Sequence, residues 1–250
     1  MSKQIIFSRA DKEIFRDGDK LIKEFNANYS KAEILNEALN HARVEETGLN
    51  VPKLRAVQVV DGKWAIVLDH VEGKTLQGLM DENPEKEDEY LNFFVDLQRM
   101  VFSNKVPNLN KLKDKMQARI SLTNPILEAT TRYDLHTRLD SMPKHTNLLH
   151  GDFNPTNIII TSDGTPYIID WAHATQGNSS ADVAQSYLLF YLSGKKELGD
   201  KYLKLYCKKS DTAIQYVQRW IPIVAAARLV KAKAEEKEFL LSWIDVVDYE

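Results

Sequence analysis

The chain has 250 residues, 43% hydrophobic and 28% charged, with a formal net charge of −3. That balance is ordinary for a soluble globular protein of one domain or two lobes, and it argues against nucleic acid, which requires a basic face, as the main partner. The single cysteine, Cys207, excludes an intramolecular disulfide and suits a reducing cytoplasm, and no apolar leader or membrane-length run is present.

Alternating apolar residues predict strands at 5–7, 13–15, 20–25, 56–60 and 64–68, punctuated by the turns Asp17-Gly18 and Asp61-Gly62. A helix interrupts them. Ser30 and Glu33 have the spacing of a capping box, Ile34, Leu35, Ala38, Leu39 and Ala42 recur at helical spacing, and Gly48 supplies the stop. From about Leu79 onward helices are expected at 85–103, 111–121, 125–140, 181–193, 196–209, 212–232 and 235–248, with Pro222 predicting a kink. Glu85, Glu87, Asp88 and Glu89 suit a helix start, and Lys111, Lys113, Lys115 and Arg119 read as a solvated helix face. The acids from Asp81 to Glu89, with Glu235, Glu236 and Asp245, suggest a negative rim that would favour a polar, partly cationic ligand.

The chemistry concentrates between residues 150 and 171, in His150-Gly151-Asp152-Phe153-Asn154-Pro155-Thr156-Asn157 and in Ile168-Ile169-Asp170-Trp171. Residues 157–161 and 167–169 read as a hairpin about the turn Ser162-Asp163-Gly164-Thr165, so Asn157 and Asp170 are expected side by side at its open end. Asp152 lies just upstream in a loop that Pro155 keeps from becoming helical. Mg²⁺ takes hard oxygen ligands and is commonly held by one or two carboxylates plus substrate phosphates. Asn157 and Asp170 suit that ion, and Asp152 is left to accept the proton of an attacking hydroxyl. In the strand at 20–25, Lys23 shares a face with Leu21 and Phe25, where an ammonium requires an anionic partner. Nucleotide phosphates and a helix carboxylate would serve, with Glu37 favoured over Glu33 and Glu46.

The block His-Gly-Asp, followed four residues later by Asn and then by Ile-Asp-Trp, resembles the signature of the aminoglycoside phosphotransferase and choline kinase superfamily. It differs from protein kinases, because residue 151 is Gly and Trp171-Ala172 stands where Phe-Gly would be. The resemblance implies an α+β, bilobal protein-kinase-like fold. A strand-rich amino-terminal nucleotide-binding lobe would span 1–72, and a mainly helical catalytic and acceptor-binding lobe 73–250. It also implies ATP or GTP as phosphate donor with Mg²⁺ as cofactor. The acceptor would be a small molecule bearing a hydroxyl, such as an aminoglycoside or amino alcohol, with neither nucleic acid nor membrane as partner. Lys23 and Glu37 match the family's lysine and helix glutamate. The carbonyl of Asp69 and the amide of Val71 would read adenine, and Ala181-Asp182-Val183-Ala184 resembles a later motif whose Asp anchors the catalytic loop. Two departures stand out: Ser8-Arg9-Ala10-Asp11-Lys12 replaces a glycine-rich loop, and Ala172 replaces a frequent acidic residue. They motivate a competing reading as a nucleotide-binding regulator without turnover. Gly73-Lys74-Thr75 is not a P-loop, since Leu68 occupies the position of its first glycine.

Overall fold

A computed structural model describes residues 4–9 and 11–244. In chain order the strands and α-helices are β1 (Gln4–Ser8), β2 (Lys12–Asp17), β3 (Lys20–Phe25), α1 (Lys31–Glu45), β4 (Leu54–Val60), β5 (Lys63–Asp69), β6 (Lys74–Thr75), α2 (Leu76–Glu82), α3 (Glu87–Phe102), α4 (Leu112–Ser121), α5 (Ala129–Ser141) and β7 (Asn147–Leu149). There follow β8 (Ile158–Ile160), β9 (Pro166–Ile168), β10 (Thr175–Gly177), α6 (Ser179–Leu192), α7 (Lys196–Ser210), α8 (Ile214–Gln218), α9 (Ile221–Leu229) and α10 (Ala234–Ser242). The described residues divide into two compact units, the first running to Glu85 and including Pro155–Ala174, the second comprising Lys86–Asn154 and the chain from Thr175.

The first unit is built on an antiparallel sheet in the order β1-β2-β3-β5-β4. Strand β3 is interior to it, so its side chains meet neighbours on both flanks. Phe25, Ile34, Ala38, Ile66 and Leu68 form the core beneath α1, with Leu21, Tyr29, Leu54, Val57 and Trp64 packed around them. A smaller sheet, β6-β8-β9, carries the hairpin expected after residue 157, with Ile158 opposite Ile168. Gly73 precedes it because a Cβ there would come within 2.4 Å of the Ile160 carbonyl oxygen.

Helix α1 rotates differently from its apolar pattern. Ile34 and Ala38 are buried, but Leu35 and Leu39 are exposed, and Glu37, Asn40 and His41 occupy the inward face instead. The polar residues win because each meets a partner that a leucine could not serve. Asn40 Nδ2 donates to the carbonyls of Ala172 and Ala174, and His41 Nε2 lies 2.5 Å from the Pro52 carbonyl oxygen.

The second unit is mainly helical. Phe94, Phe153, Phe190 and Tyr202 form an aromatic core, with Phe94 and Phe153 centroids 4.8 Å apart. Expected helices at 85–103, 111–121, 181–193 and 196–209 correspond to α3, α4, α6 and α7 within a few residues. The single kinked helix expected at 212–232 is instead two helices, α8 and α9. Pro222 sits in the first turn of α9, where its missing N–H would have had no intrahelical acceptor. The expected helix at 235–248 is α10, and its last residues lie outside those described. The three-residue strands β7 and β10, which pair with each other, were too short for any periodicity to reveal. A strand-rich amino-terminal lobe and a mainly helical carboxy-terminal lobe are the layout of a kinase-like fold.

Candidate active site

Alternation along β3 turns Lys23 and Phe25 to the same buried face. Lys23 Nζ lies 2.8 Å from Glu37 Oε1 on α1 and 2.8 Å from Asp170 Oδ1, so one ammonium bridges two carboxylates. The side chains of Lys23 and Glu37 are 6% and 8% exposed, and Asp170 is 31% exposed. Burial on its own would lower Lys23. The charges and hydrogen bonds of Asp170 and Glu37 outweigh it, so Lys23 is raised above the ordinary lysine value and stays an ammonium.

Asp170 follows β9 in the left-handed region, with φ 64° and ψ 60°. For a residue with a side chain that conformation costs on the order of 1 kcal/mol and persists where its surroundings enforce it. They do so here: the buried Trp171 donates from Nε1 to the Ile168 carbonyl at 3.0 Å, and the Ile169 amide donates to the Asn157 carbonyl at 2.9 Å. Asn157 closes a 3₁₀ turn, Pro155–Asn157, immediately before β8, rather than beginning the strand itself. The hairpin therefore sets Asn157 opposite Ile169, one residue from Asp170.

Asp152 belongs to the second unit, and its loop is tied down from several sides. Gly151 turns the chain with φ 78°. The buried Asp182 carboxylate accepts from the amides of Gly151 at 2.7 Å and His150 at 3.2 Å, the anchoring expected of the Ala181–Ala184 segment. Burial is the main cause that raises Asp182 to about 6, against the pull of those two amides. The Asp152 amide donates to His150 Nδ1 at 3.2 Å, and Asn154 Nδ2 donates to the Asp152 carbonyl at 3.0 Å. On the far side runs a buried relay that the sequence did not disclose. Tyr202 OH donates to Gln98 Oε1, Gln98 Nε2 donates to Ser186 Oγ, and Ser186 Oγ donates to the Phe153 carbonyl at 2.7 Å. Its members come from α7, α3 and α6, so no local spacing could have signalled it.

Asp69 ends β5, and its carboxylate is held by Arg55 through Nε at 2.5 Å and Nη2 at 2.9 Å. Val71 lies two residues on, beside a cavity of 480 Å³ whose walls include Asp69, Val71, Pro52, Thr161 and Tyr167. Lys23, Glu37 and Asp170 do not line it. The cavity is thus separate from the lysine bridge.

The basic residues of α4 do not form one solvated face. Lys111 is exposed, whereas Lys113 donates to the carbonyls of Asp140 and Met142, and Lys115 and Arg119 are half-buried. Helix α4 packs against both α5 and α9, and part of its basic stripe is withdrawn from solvent. Burial first, and Arg119 second, push Lys115 down to about 7.

Among the described residues no group of three or more His, Cys, Asp or Glu side chains is placed to hold a metal ion. A magnesium–nucleotide site does not require one, because substrate phosphates and water supply most of its ligands. The hard oxygens of Asp170 and Asn157 fit that demand. Among the described residues no helix is long and apolar enough to cross a membrane.

Residues 14–219 match the phosphotransferase enzyme family (APH), and the chain belongs to that family. A thermostable mutant of aminoglycoside phosphotransferase APH(4)-Ia in its apo form is similar in structure, with a TM-score of 0.73 at 11% identity, covering 98% of this chain and 93% of that one. Aminoglycoside-3'-phosphotransferase of type VIII superposes with a TM-score of 0.66 at 15% identity, covering 92% and 93%. The streptomycin–ATP complex of APH(2")-IIa gives 0.63 at 15% identity, covering 98% and 90%. At such identities the likeness establishes the kinase-like fold. A search of curated protein sequences found no match.

Proposed function

We propose that the protein transfers the γ-phosphate of ATP or GTP to a hydroxyl of a small molecule. The observation that carries this reading is Lys23 bridging Glu37 and Asp170, both at 2.8 Å, in a chain of the phosphotransferase family. Kinases use a strand lysine paired with a helix glutamate to grip nucleotide phosphates, and an Asp beside them to hold the metal. Residues 1–72 would serve the nucleotide and 73–250 the acceptor and catalysis, with the backbone at Asp69 and Val71 facing adenine.

Asn157 and Asp170 would hold Mg²⁺, which when bound neutralises charge on the phosphate oxygens. Asp152 accepts the proton of the acceptor hydroxyl as its oxygen bonds to the γ-phosphorus and the bond from that phosphorus to the bridging oxygen breaks, releasing the nucleoside diphosphate. The Asp182 carboxylate and the Ser186 hydroxyl keep the Asp152 loop in place for that step. Family resemblance would make the acceptor an aminoglycoside or amino alcohol. The test is acceptor-dependent release of ADP by the purified chain with Mg-ATP. Saturable nucleotide binding without release for any acceptor would favour the regulator reading instead.

A further inference from the structure

Phosphoryl transfer gives no role to three half-buried cations of the second unit, of which Lys115 feels the charge of Asp152. Lys115 and Arg119, one turn apart on α4, leave the same helix face, and α4 packs against α9, which carries Arg228 near its end. Arg119 and Arg228 act on each other as like charges. Arg228 Nη2 lies 3.6 Å from Glu236, but its Nε is buried with no hydrogen-bond partner among the described residues. Lys115 feels Arg119 and Lys231 of its own sign, and Asp182 and Asp152 of the opposite sign. Asp182 is already engaged by the amides of His150 and Gly151. Like charges and an unpartnered N–H in half-buried space cost free energy that a bound anion would recover.

We propose that Lys115, Arg119 and Arg228 receive an anionic group of the acceptor, which is therefore a hydroxyl-bearing carboxylate or phosphate ester. This substrate class rests on the phosphotransferase reading, and it departs from the amine-bearing acceptor that family resemblance implies. Two of the acids that suggested a cationic ligand already have cationic partners: Glu82 pairs with Lys74 at 2.7 Å and Glu87 with Lys201 at 2.7 Å. Asp245 lies outside the described residues. Since Lys115 titrates near 7 while facing Arg119, Lys231, Asp152 and Asp182, an anion beside it raises its affinity for a proton. Anion binding should therefore weaken as pH rises above about 7.

Two measurements on the full chain separate this proposal from the reading beneath it. In the first, thermal unfolding is followed while inorganic phosphate or malonate is titrated in without nucleotide. Saturable stabilisation is expected, lost in Arg119→Gln and Arg228→Gln and retained in Arg119→Lys. In the second, Mg-ATP is supplied with glycerate, a hexose phosphate, a neutral hexose, choline or kanamycin. Transfer is expected only to an anionic acceptor, whose KM rises roughly 10–100-fold in Arg119→Gln. Absence of anion stabilisation in the wild type, or transfer to choline, kanamycin or the neutral hexose with the anions inert, overturns the proposal. Anion stabilisation that depends on Arg119 and Arg228, with no transfer to any acceptor, upholds the anion site while the transferase reading fails.

Discussion

Lys23 shares its charge between Glu37 and Asp170, so removing it strands two carboxylates, one of them buried. Breaking a buried ion pair from one side costs about 3–5 kcal/mol, and Lys23→Met should lose stability on that scale in urea unfolding while weakening ATP binding. Glu37→Gln should cost less, and the double variant less than the sum of the two, because the groups touch. Full additivity would contradict a shared interaction. Asp170→Ala should remove the Mg²⁺ dependence of nucleotide binding in calorimetric titration, and an unchanged dependence would place the metal elsewhere. The signals at this scale were local: alternation in one strand singled out Lys23, and spacing within twenty residues singled out Asp152, Asn157 and Asp170. Of these, the structure brings Lys23 and Asp170 together, with Glu37 beside them. Lys115 and Arg119 are half-buried rather than solvated, because α4 packs against elements remote in sequence, α9 among them.

Elements followed their local patterns where one face was plainly apolar and departed from them where polar partners intervened. The strands before residue 70 were readable from alternation and Asp-Gly turns. Helix α1 was readable as a helix but not in its rotation, since its inward Asn40 and His41 are justified by carbonyls of Ala172, Ala174 and Pro52 that no helix pattern contains. Pro222 looks alike whether it kinks one helix or opens the next. At this scale Gly73→Ala should cost roughly 1–3 kcal/mol, because the added methyl meets the Ile160 backbone as well as the Ile159 side chain. Asp182→Asn should cost a similar amount, about 1–3 kcal/mol, by turning an amide donor towards one of two backbone N–H groups. The pH dependence carries its own sign. Asp182 is raised to about 6 in the fold, so its contribution is full below the ordinary carboxylate pKa of about 4 and is lost as pH rises through about 6. Equilibrium unfolding across that window should show this decline in the wild type and its absence in the Asn variant.

For the whole molecule, the succession of strands, helix, strands and then helices agreed with the kinase-like fold that the family resemblance implied, and similar structures at 11–15% identity share it. The acceptor was not legible in the same way, because the cations proposed to receive it come from α4 and α9 and carry no common motif. The central claim is that Asp152 takes a proton during transfer from nucleotide to hydroxyl. It is tested most directly by comparing acceptor-dependent phosphoryl transfer from Mg-ATP in the wild type and in Asp152→Asn, with ATP affinity measured in both. A positioned base contributes roughly 10²–10⁴-fold, so the variant should lose turnover by that factor and keep its ATP affinity. Turnover near the wild-type rate in Asp152→Asn would contradict the account.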